Sequence, residues 1–312
     1  MVDSAGVSTL GLEGPGELWQ PATAAAIQKQ TRSLLGMSGT LYVVATPIGH
    51  LGDLSQRAVA TLKQVQVIAA EDTRRSGVLL AHIGHAGCQM VSLHDHNETA
   101  ASPKLIARLQ GGDSVALVSD AGTPLINDPG YRLLQLAWQH DIQVVPIPGP
   151  SAVITALSVC PLPSQPFRYV GFLAAKASAR RQQLETWLQH ADAVVFFESP
   201  HRIRHTLEDL QGLTQRRIFL GREMTKQYET FLQGSAGEVL QQLGDPPKGE
   251  FVGIIEAGEA ATTEYQHQQV VQVLLQELPP AKAARLAAQI CGVNKKELYE
   301  LALTLNANNK PD

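Results

Sequence analysis

Residues 119–130 read Ser-Asp-Ala-Gly-Thr-Pro-Leu-Ile-Asn-Asp-Pro-Gly and follow the apolar run Val115-Ala116-Leu117-Val118. One loop thus holds the carboxylates Asp120 and Asp128, the prolines Pro124 and Pro129, and the glycines Gly122 and Gly130. Glycine admits backbone angles that other residues resist, and proline stiffens the chain while removing an N–H donor. A rigid, carboxylate-bearing loop at the carboxyl end of a buried strand is where open α/β sheets bind ligands. The plainer alternative is a Gly/Pro turn between a strand and a helix. Two further loops have the same character: Thr46-Pro47-Ile48-Gly49, and Pro146-Ile147-Pro148-Gly149-Pro150-Ser151-Ala152. In the second, Ser151 is placed to cap a helix over 152–159 and to offer its hydroxyl to a ligand. Neither G-x-G-x-x-G nor G-x-x-x-x-G-K-[ST] follows the first strand, so a nicotinamide dinucleotide site and a P-loop are unsupported.

Several side chains could take a proton from a reacting hydroxyl: Glu71, Asp72, His94, Asp95, His96 and Glu223. Asp72 reads equally well as half of an ion pair with Arg74. The run His94-Asp95-His96-Asn97-Glu98 holds donor types that divalent metals use. A polar, substrate-facing loop that caps the next helix is the preferred reading there, and no metal is expected. Basic residues gather as Lys176, Arg180 and Arg181, as Arg202 and Arg204, as Arg216 and Arg217, and as Lys295 and Lys296. Such groups neutralise phosphates, although each also reads as solvated helix surface. Lys176, Arg180 and Arg181 are favoured because they follow the strand end Gly171-Phe172-Leu173.

The elements that must position these residues alternate. Strands are predicted at 41–46, 65–70, 89–93, 115–119 and 143–146, mostly as near-continuous apolar runs, which suits strands covered on both faces. The first intervening helix is predicted to start at Asp53, with Leu54, Ala58 and Leu62 at helical spacing. Strand–helix alternation implies a mostly parallel sheet with right-handed crossovers. Pro161, Pro163 and Pro166 mark a linker. Strands then follow at 168–173, 193–198, 217–221, 229–233 and 251–256, with Ser199-Pro200 as a helix start. The consecutive strands near Arg217 and Glu229 suggest antiparallel pairing and a separate sheet. A second linker from Glu256 leads to an Ala-rich helix over 281–291, a turn at 292–294 and a helix from Lys295 to Leu303, a spacing that resembles helix-turn-helix. The expected organisation is an extension over 1–38 with one short helix near 23–35 and a second start codon position at Met37, an α/β domain over 39–160, a second over 161–258, and a linker with helical tail over 259–312.

The totals set limits. At 312 residues, 44% hydrophobic and 17% charged, the chain suits about two globular domains. No apolar run reaches the roughly 18–20 residues of a membrane span, and residues 1–37 lack the pattern of a secretory signal. Cys88, Cys160 and Cys291 are far apart and show no zinc spacing, so they read as free thiols in a reducing cytoplasm. A formal charge of −4 argues against broad coating of nucleic acid and leaves room for a local basic face.

Taken together, Thr46-Pro47-Ile48-Gly49, Ala70-Glu71-Asp72-Thr73-Arg74, Leu93-His94-Asp95-His96-Asn97-Glu98, residues 119–130, Pro148-Gly149-Pro150-Ser151 and Phe197-Glu198-Ser199-Pro200-His201-Arg202 resemble the tetrapyrrole-methylase superfamily, in its ribosomal branch. That branch methylates the ribose 2′-hydroxyl of the cytidine at position 1402 of 16S rRNA. The resemblance runs from about Gly39 to Gly258, and the tail is also similar. One departure is His50, where the branch usually has Asn; both residues tolerate left-handed backbone angles. The resemblance implies a two-domain α/β fold, a parallel-sheet domain plus a mixed-sheet domain, with a small C-terminal helical domain. It implies S-adenosylmethionine (SAM) as cofactor, held between the two α/β domains. By residue, it implies cofactor contacts from Pro47, Ile48, Asp120, Gly122, Thr123, Ser151, Ala152, Phe172, Leu173 and Met224. It leaves Asp72, Asp95 and Glu223 as candidate base or orienting residues, and Lys176, Arg180, Arg181, Arg202, Lys295 and Lys296 as candidate RNA contacts. It also implies a cytoplasmic homodimer acting on 16S rRNA in the small ribosomal subunit, with no membrane. Two rivals are a methyltransferase acting on a tetrapyrrole and a non-catalytic, SAM-sensing RNA-binding module.

Overall fold

The computed structural model describes residues 38–258 and 263–308, so the helix expected near 23–35 and Met37 lie outside the described residues. The chain divides into two compact units. One holds the residues up to Thr46 together with Leu51–Gly149, and the other holds Pro47–His50 and everything from Pro150 onward.

The first unit runs β1 (Thr40–Val44), α1 (Gln56–Gln64), β2 (Val67–Ala70), α2 (Thr73–His82), β3 (Gln89–Ser92), α3 (Glu98–Gln110), β4 (Val115–Val118), α4 (Tyr131–Gln139) and β5 (Gln143–Ile147). Its sheet has the order β3-β2-β4-β1-β5 with every pairing parallel. Successive side chains of a strand point to opposite faces. Accordingly Val67, Ala69, Val115 and Leu117 enter one apolar core, while Ile68, Ala70, Ala116 and Val118 enter another. Cover on both faces is why these strands read as continuous apolar runs. Helix α1 begins later than the sequence suggests. Asp53 ends a 3₁₀ turn over Leu51–Asp53, and Ser55 is the N-cap, accepting the Ala58 N–H.

The second unit runs α5 (Ala152–Val159), β6 (Phe167–Phe172), α6 (Ala177–Leu188), β7 (Ala193–Glu198), α7 (Ile203–Leu213), β8 (Ile218–Arg222), β9 (Thr230–Gly234), α8 (Ala236–Gln242) and β10 (Phe251–Ile255). Its sheet is mixed, in the order β6-β7-β10-β8-β9, parallel only between β6 and β7. The predicted antiparallel pair is β8–β9. This unit starts at Pro150, ahead of the proline cluster at 161–166, because Val153 and Ala156 of α5 pack with Val195, Phe219, Val252 and Ile254. Ser199 does not cap α7, which starts after a turn. The Ser199 carbonyl accepts the Arg202 and Ile203 N–H groups at 3.1 and 3.0 Å, so Arg202 takes the N-cap position instead.

Three helices complete the described residues: α9 (Thr263–Leu275), α10 (Pro280–Cys291) and α11 (Lys295–Asn308). They share a small core of Val271, Ala284, Ala287, Leu298 and Ala302. Gly292 ends α10 in the left-handed region at φ 68°, the usual helix C-terminal device.

Candidate active site

In the first unit, β2 and β4 are neighbours, yet the chain leaves β2 toward one edge of the sheet (β3) and leaves β4 toward the other (β5). Open α/β sheets bind ligands at such a switch point, beyond the carboxyl ends of the strands. Glu71 and Asp72 follow β2 there, and the 119–130 loop follows β4.

That loop is clamped at both ends. At its start, Thr46 and Gly122 exchange backbone hydrogen bonds of 2.8 and 3.1 Å, and the Thr46 hydroxyl lies 3.2 Å from the Ser119 carbonyl. At its end, one oxygen of Glu98 accepts the Gly130 N–H at 3.1 Å and the Arg132 N–H at 2.5 Å. Helix α4 has no side-chain cap from its own N-cap residue, so Glu98 satisfies two amides that would otherwise be orphaned. Between the clamps the backbone is contorted. Gly122, Leu125, Asn127 and Gly130 all have positive φ, at 86°, 75°, 68° and 124°. A side chain at Gly130 would stand 2.6 Å from a Leu117 methyl. Strain of this kind gathers at functional sites.

The carboxylates around the loop differ in their company. Asp120 accepts the Asp72 N–H at 3.0 Å and pairs with the Arg75 guanidinium at 3.1 Å. The Asp120 N–H points back at Glu71, 3.3 Å away. Asp72 N-caps α2 and is gripped by Arg74 through two side-chain bonds, at 3.1 and 2.8 Å. The Arg74 side-chain bond holds its carboxyl down at about 2. A carboxylate so held is a poor proton acceptor at neutral pH, so Asp72, expected as a candidate base, is a structural post. Burial pushes the Glu71 carboxyl up from its ordinary value, aided by the charges of Asp120 and Asp95. Asp128 goes further, to about 7. Burial is the main cause, opposed by a hydrogen bond from Ser119 and reinforced by Glu71, Asp120 and Asp95. Asp95 is exposed. Glu71, Asp95 and Asp128 form no ion pair among the described residues. In the His94–Glu98 run, Asn97 folds the loop on itself by accepting the His94 N–H at 2.9 Å and donating to the Ser92 carbonyl at 3.0 Å. Among the described residues, no three His, Cys, Asp or Glu side chains are placed to hold a metal ion.

In the second unit, Ile48, Ala152 and Met224 fall in one apolar cluster. The side chains of Leu173 and Met224 are buried core, so only their backbone groups are available to a ligand. Phe172 is 51% exposed and meets Phe197 edge-to-face at 5.6 Å. The loop after β8 is also strained, with Glu223 at φ 50° and Thr225 at φ 64°. Thr225 accepts the His50 N–H at 3.1 Å, and a Cβ at Gly49 would lie 2.6 Å from Lys226. Only glycine lets the 47–50 segment approach so closely. Glu223 accepts the Glu250 N–H at 2.9 Å and pairs with Lys226 at 3.1 Å. Burial pushes the Glu223 carboxyl up, but those bonds outweigh it and hold it below its usual range. Glu223 too is therefore a brace for its loop.

The expected RNA residues separate in the same way. Arg180 is 4% exposed and pairs with Asp209 at 2.6 Å, so it belongs to the interior and not to an RNA face. Arg181 shares Asp209 at 2.5 Å while staying exposed. Arg202 is committed to Glu198 at 2.8 Å, the Leu173 carbonyl at 3.1 Å and the Ser199 hydroxyl at 3.3 Å, which corrects its assignment as well. Arg216 donates to the Leu188 and His190 carbonyls. Lys176, Lys295 and Lys296 are exposed. Sequence reasoning missed Arg75, Glu98 and Thr225 as braces, because each works across 32 to 175 positions of chain or through a contact no local pattern encodes.

The model of the tetrapyrrole (corrin/porphyrin) methylases matches residues 40–240, and that of the RsmI C-terminal HTH domain matches residues 259–306. The chain is 45% identical over 282 residues to ribosomal RNA small subunit methyltransferase I of Escherichia coli O157:H7, covering 88% of this chain and 98% of that one. This chain belongs to the tetrapyrrole methylase family, in its ribosomal RNA small subunit methyltransferase I branch. A second member of the branch, from Xylella fastidiosa, is 45% identical, with 84% and 98% of the two chains covered. Among solved structures, uroporphyrin III C-methyltransferase from Thermus thermophilus, complexed with S-adenyl homocysteine, shares the fold. Its TM-score is 0.50 at 16% identity, over 71% of this chain and 98% of that one.

Proposed function

We infer that the chain transfers a methyl group from SAM to the ribose 2′-hydroxyl of a cytidine in 16S rRNA of the small ribosomal subunit. The supporting observation is that relatives named as small subunit rRNA methyltransferases match over 98% of their length, helical tail included. SAM supplies a methyl carbon already activated by a sulfonium leaving group. The residues suit such a molecule. Glu71, Asp120 and Asp128 make the strand-end face of the first unit electronegative, which favours a sulfonium cation. The half-exposed Phe172 ring offers an apolar face for a purine.

The residues proposed to contact SAM are Asp120, Gly122, Thr123, Pro47, Ile48, Ser151, Ala152, Phe172, Leu173 and Met224. The protein's main contribution is positioning, which can supply about 7–11 kcal/mol of a barrier. Lys176, Arg181, Lys295 and Lys296 are the proposed phosphate contacts. The working form is proposed to be a cytoplasmic homodimer, since such oligomers are usually two-fold. No described helix is long and apolar enough to cross a membrane.

The test is transfer of tritiated methyl from SAM to purified small subunits, naked 16S rRNA and a uroporphyrinogen mixture, with nuclease mapping of labelled RNA. Label on one cytidine ribose of the subunit is the expected result. Label on the macrocycle, or SAM binding with no transfer to any of the three, would overturn it.

A further inference from the structure

We propose that Asp128 is the catalytic residue that accepts the proton of the ribose 2′-hydroxyl. This rests on the methyltransferase reading above and adds a residue to it. In the step, the ribose oxygen forms a bond to the methyl carbon. The carbon–sulfur bond breaks with its electron pair going to sulfur. The hydroxyl proton passes to the Asp128 carboxylate, and from there to water. The products are the 2′-O-methyl ribose, S-adenosylhomocysteine and a proton, so the step balances without a further reagent.

Geometry selects this residue. Asp128 lies on the loop after central strand β4, at the switch point of the parallel sheet. It shares that loop with Asp120, Gly122 and Thr123. Its predecessor Asn127 is held at φ 68°, and its successors Pro129 and Gly130 end the loop at the Glu98 clamp. The carboxyl therefore sits on a segment fixed at both ends, as a reacting group requires. Asp95 is exposed to solvent, and the other carboxylate alternatives are occupied. Arg74 grips Asp72, Arg75 and the Asp72 N–H hold Asp120, and Lys226 with the Glu250 N–H holds Glu223. Glu71 spends an oxygen on the Asp120 N–H and has Arg75 in its field. Asp128 has no cation against it among the described residues, and the groups that bear on it are Ser119, Glu71, Asp120 and Asp95. Burial and three carboxylates keep it easily protonated, against the Ser119 hydroxyl, which favours the ionised form. With a value of about 7 it is matched to a base working near neutrality.

The same surroundings give a signature that a structural aspartate would not show. A carboxyl whose folded value lies above its unfolded one costs the fold stability when ionised. Neutral Asp128→Asn therefore melts at an equal or higher temperature than wild type at pH 7.5, while methyl transfer falls. Single-turnover transfer to small subunits, with SAM prebound, is the readout. The wild-type rate rises with pH through an ionisation near 7, Asp128→Asn loses that limb, and its rate at saturating SAM drops roughly 10²–10⁴-fold. Ser119→Ala removes the hydrogen bond that favours the ionised form, so the kinetic midpoint moves up. If Asp128→Asn does not fold, that shift decides. Unchanged rate and pH profile in Asp128→Asn, or an unmoved midpoint in Ser119→Ala, overturns the proposal. Failure of wild type to methylate any RNA would instead overturn the underlying reading.

Discussion

The two units treat their charged side chains differently. In the second unit the buried acids are paired, Glu198 with Arg202 and Asp209 with Arg180 and Arg181, and so is the half-buried Glu223, with Lys226. In the first unit, Glu71, Asp95 and Asp128 crowd one strand-end face without ion-pair partners among the described residues, and two of them are pushed toward the neutral form. Pairing compensates for burial, whereas crowding like charges raises the energy of a site. The contrast separates charges that hold the fold from charges left available to chemistry. It also accounts for why Arg180, Arg202, Asp72 and Glu223 look functional in a sequence and structural in the molecule.

The sharpest way to break this comparison is to remove the acid that two guanidiniums share. Asp209→Ala strands Arg180 in the interior, with its side chain only 5% exposed. Loss of one partner from a buried pair costs about 3–5 kcal/mol. Urea denaturation of the variant should show a loss of that size. A loss within the error of a surface substitution would mean that the second unit's pairs do not hold it together.

Gly130→Ala probes the other side. It forces a side chain into a φ of 124° and against Leu117, and a strained position of this kind costs on the order of 1–3 kcal/mol. Because Gly130 ends the 119–130 loop, methyl transfer should fall by more than the stability loss explains. Specific activity of the folded protein, measured beside the melting curve, checks this. Equal falls in both would reduce the loop to a structural turn.

Much of this was legible in the sequence. All ten described strands were, the central ones because apolar runs such as Val67–Ala70 and Val115–Val118 must be covered on both faces. The 119–130 loop was legible from its Gly, Pro and Asp content, since those residues restrict the backbone locally. Helix starts were less so. Asp53 and Ser199 both look like caps, yet the competing candidates Ser55 and Arg202 stand within a few residues and tertiary contacts choose between them. Side-chain roles were least legible. Whether Arg180 faces RNA or Asp209 depends on a residue 29 positions away. That Asp128 stands uncompensated depends on three carboxylates from three strand ends.

Stability against pH sharpens the contrast with a smaller effect. Asp209 and Glu223 have folded values below their ordinary ones, so their stabilisation is present at neutral pH and is lost as pH falls through the carboxylate range. Asp128 and Glu71 run the other way. Their folded values are raised, so the first unit gains stability as pH falls from about 7 toward the ordinary carboxylate value. Amide-exchange protection factors at pH 8 and pH 6 should rise modestly in β2, β4 and α4 and stay level in β7, β8 and α7. A uniform response across both sheets would erase the distinction.

The smallest effect concerns cations. Lys295 and Lys296 open α11, are exposed, and have no carboxylate partner among the described residues; the Lys296 N–H is taken by Asn294 at 2.9 Å, which fixes the helix start but leaves the ammonium groups outward. By the same logic that assigns Arg180 to the fold, these unpaired charges are available to a polyanion. Replacing either with Ala should leave the melting temperature where it is, since surface changes away from packed features usually move stability by no more than about 0.5 kcal/mol. Binding to small subunits should weaken, and the slope of log affinity against log salt should fall by about one unit for each phosphate no longer neutralised. A filter-binding series at several salt concentrations resolves this. If the slope holds while the affinity of Arg181→Ala drops, the phosphate-binding surface lies on α6 and the tail serves the fold or a second copy of the chain.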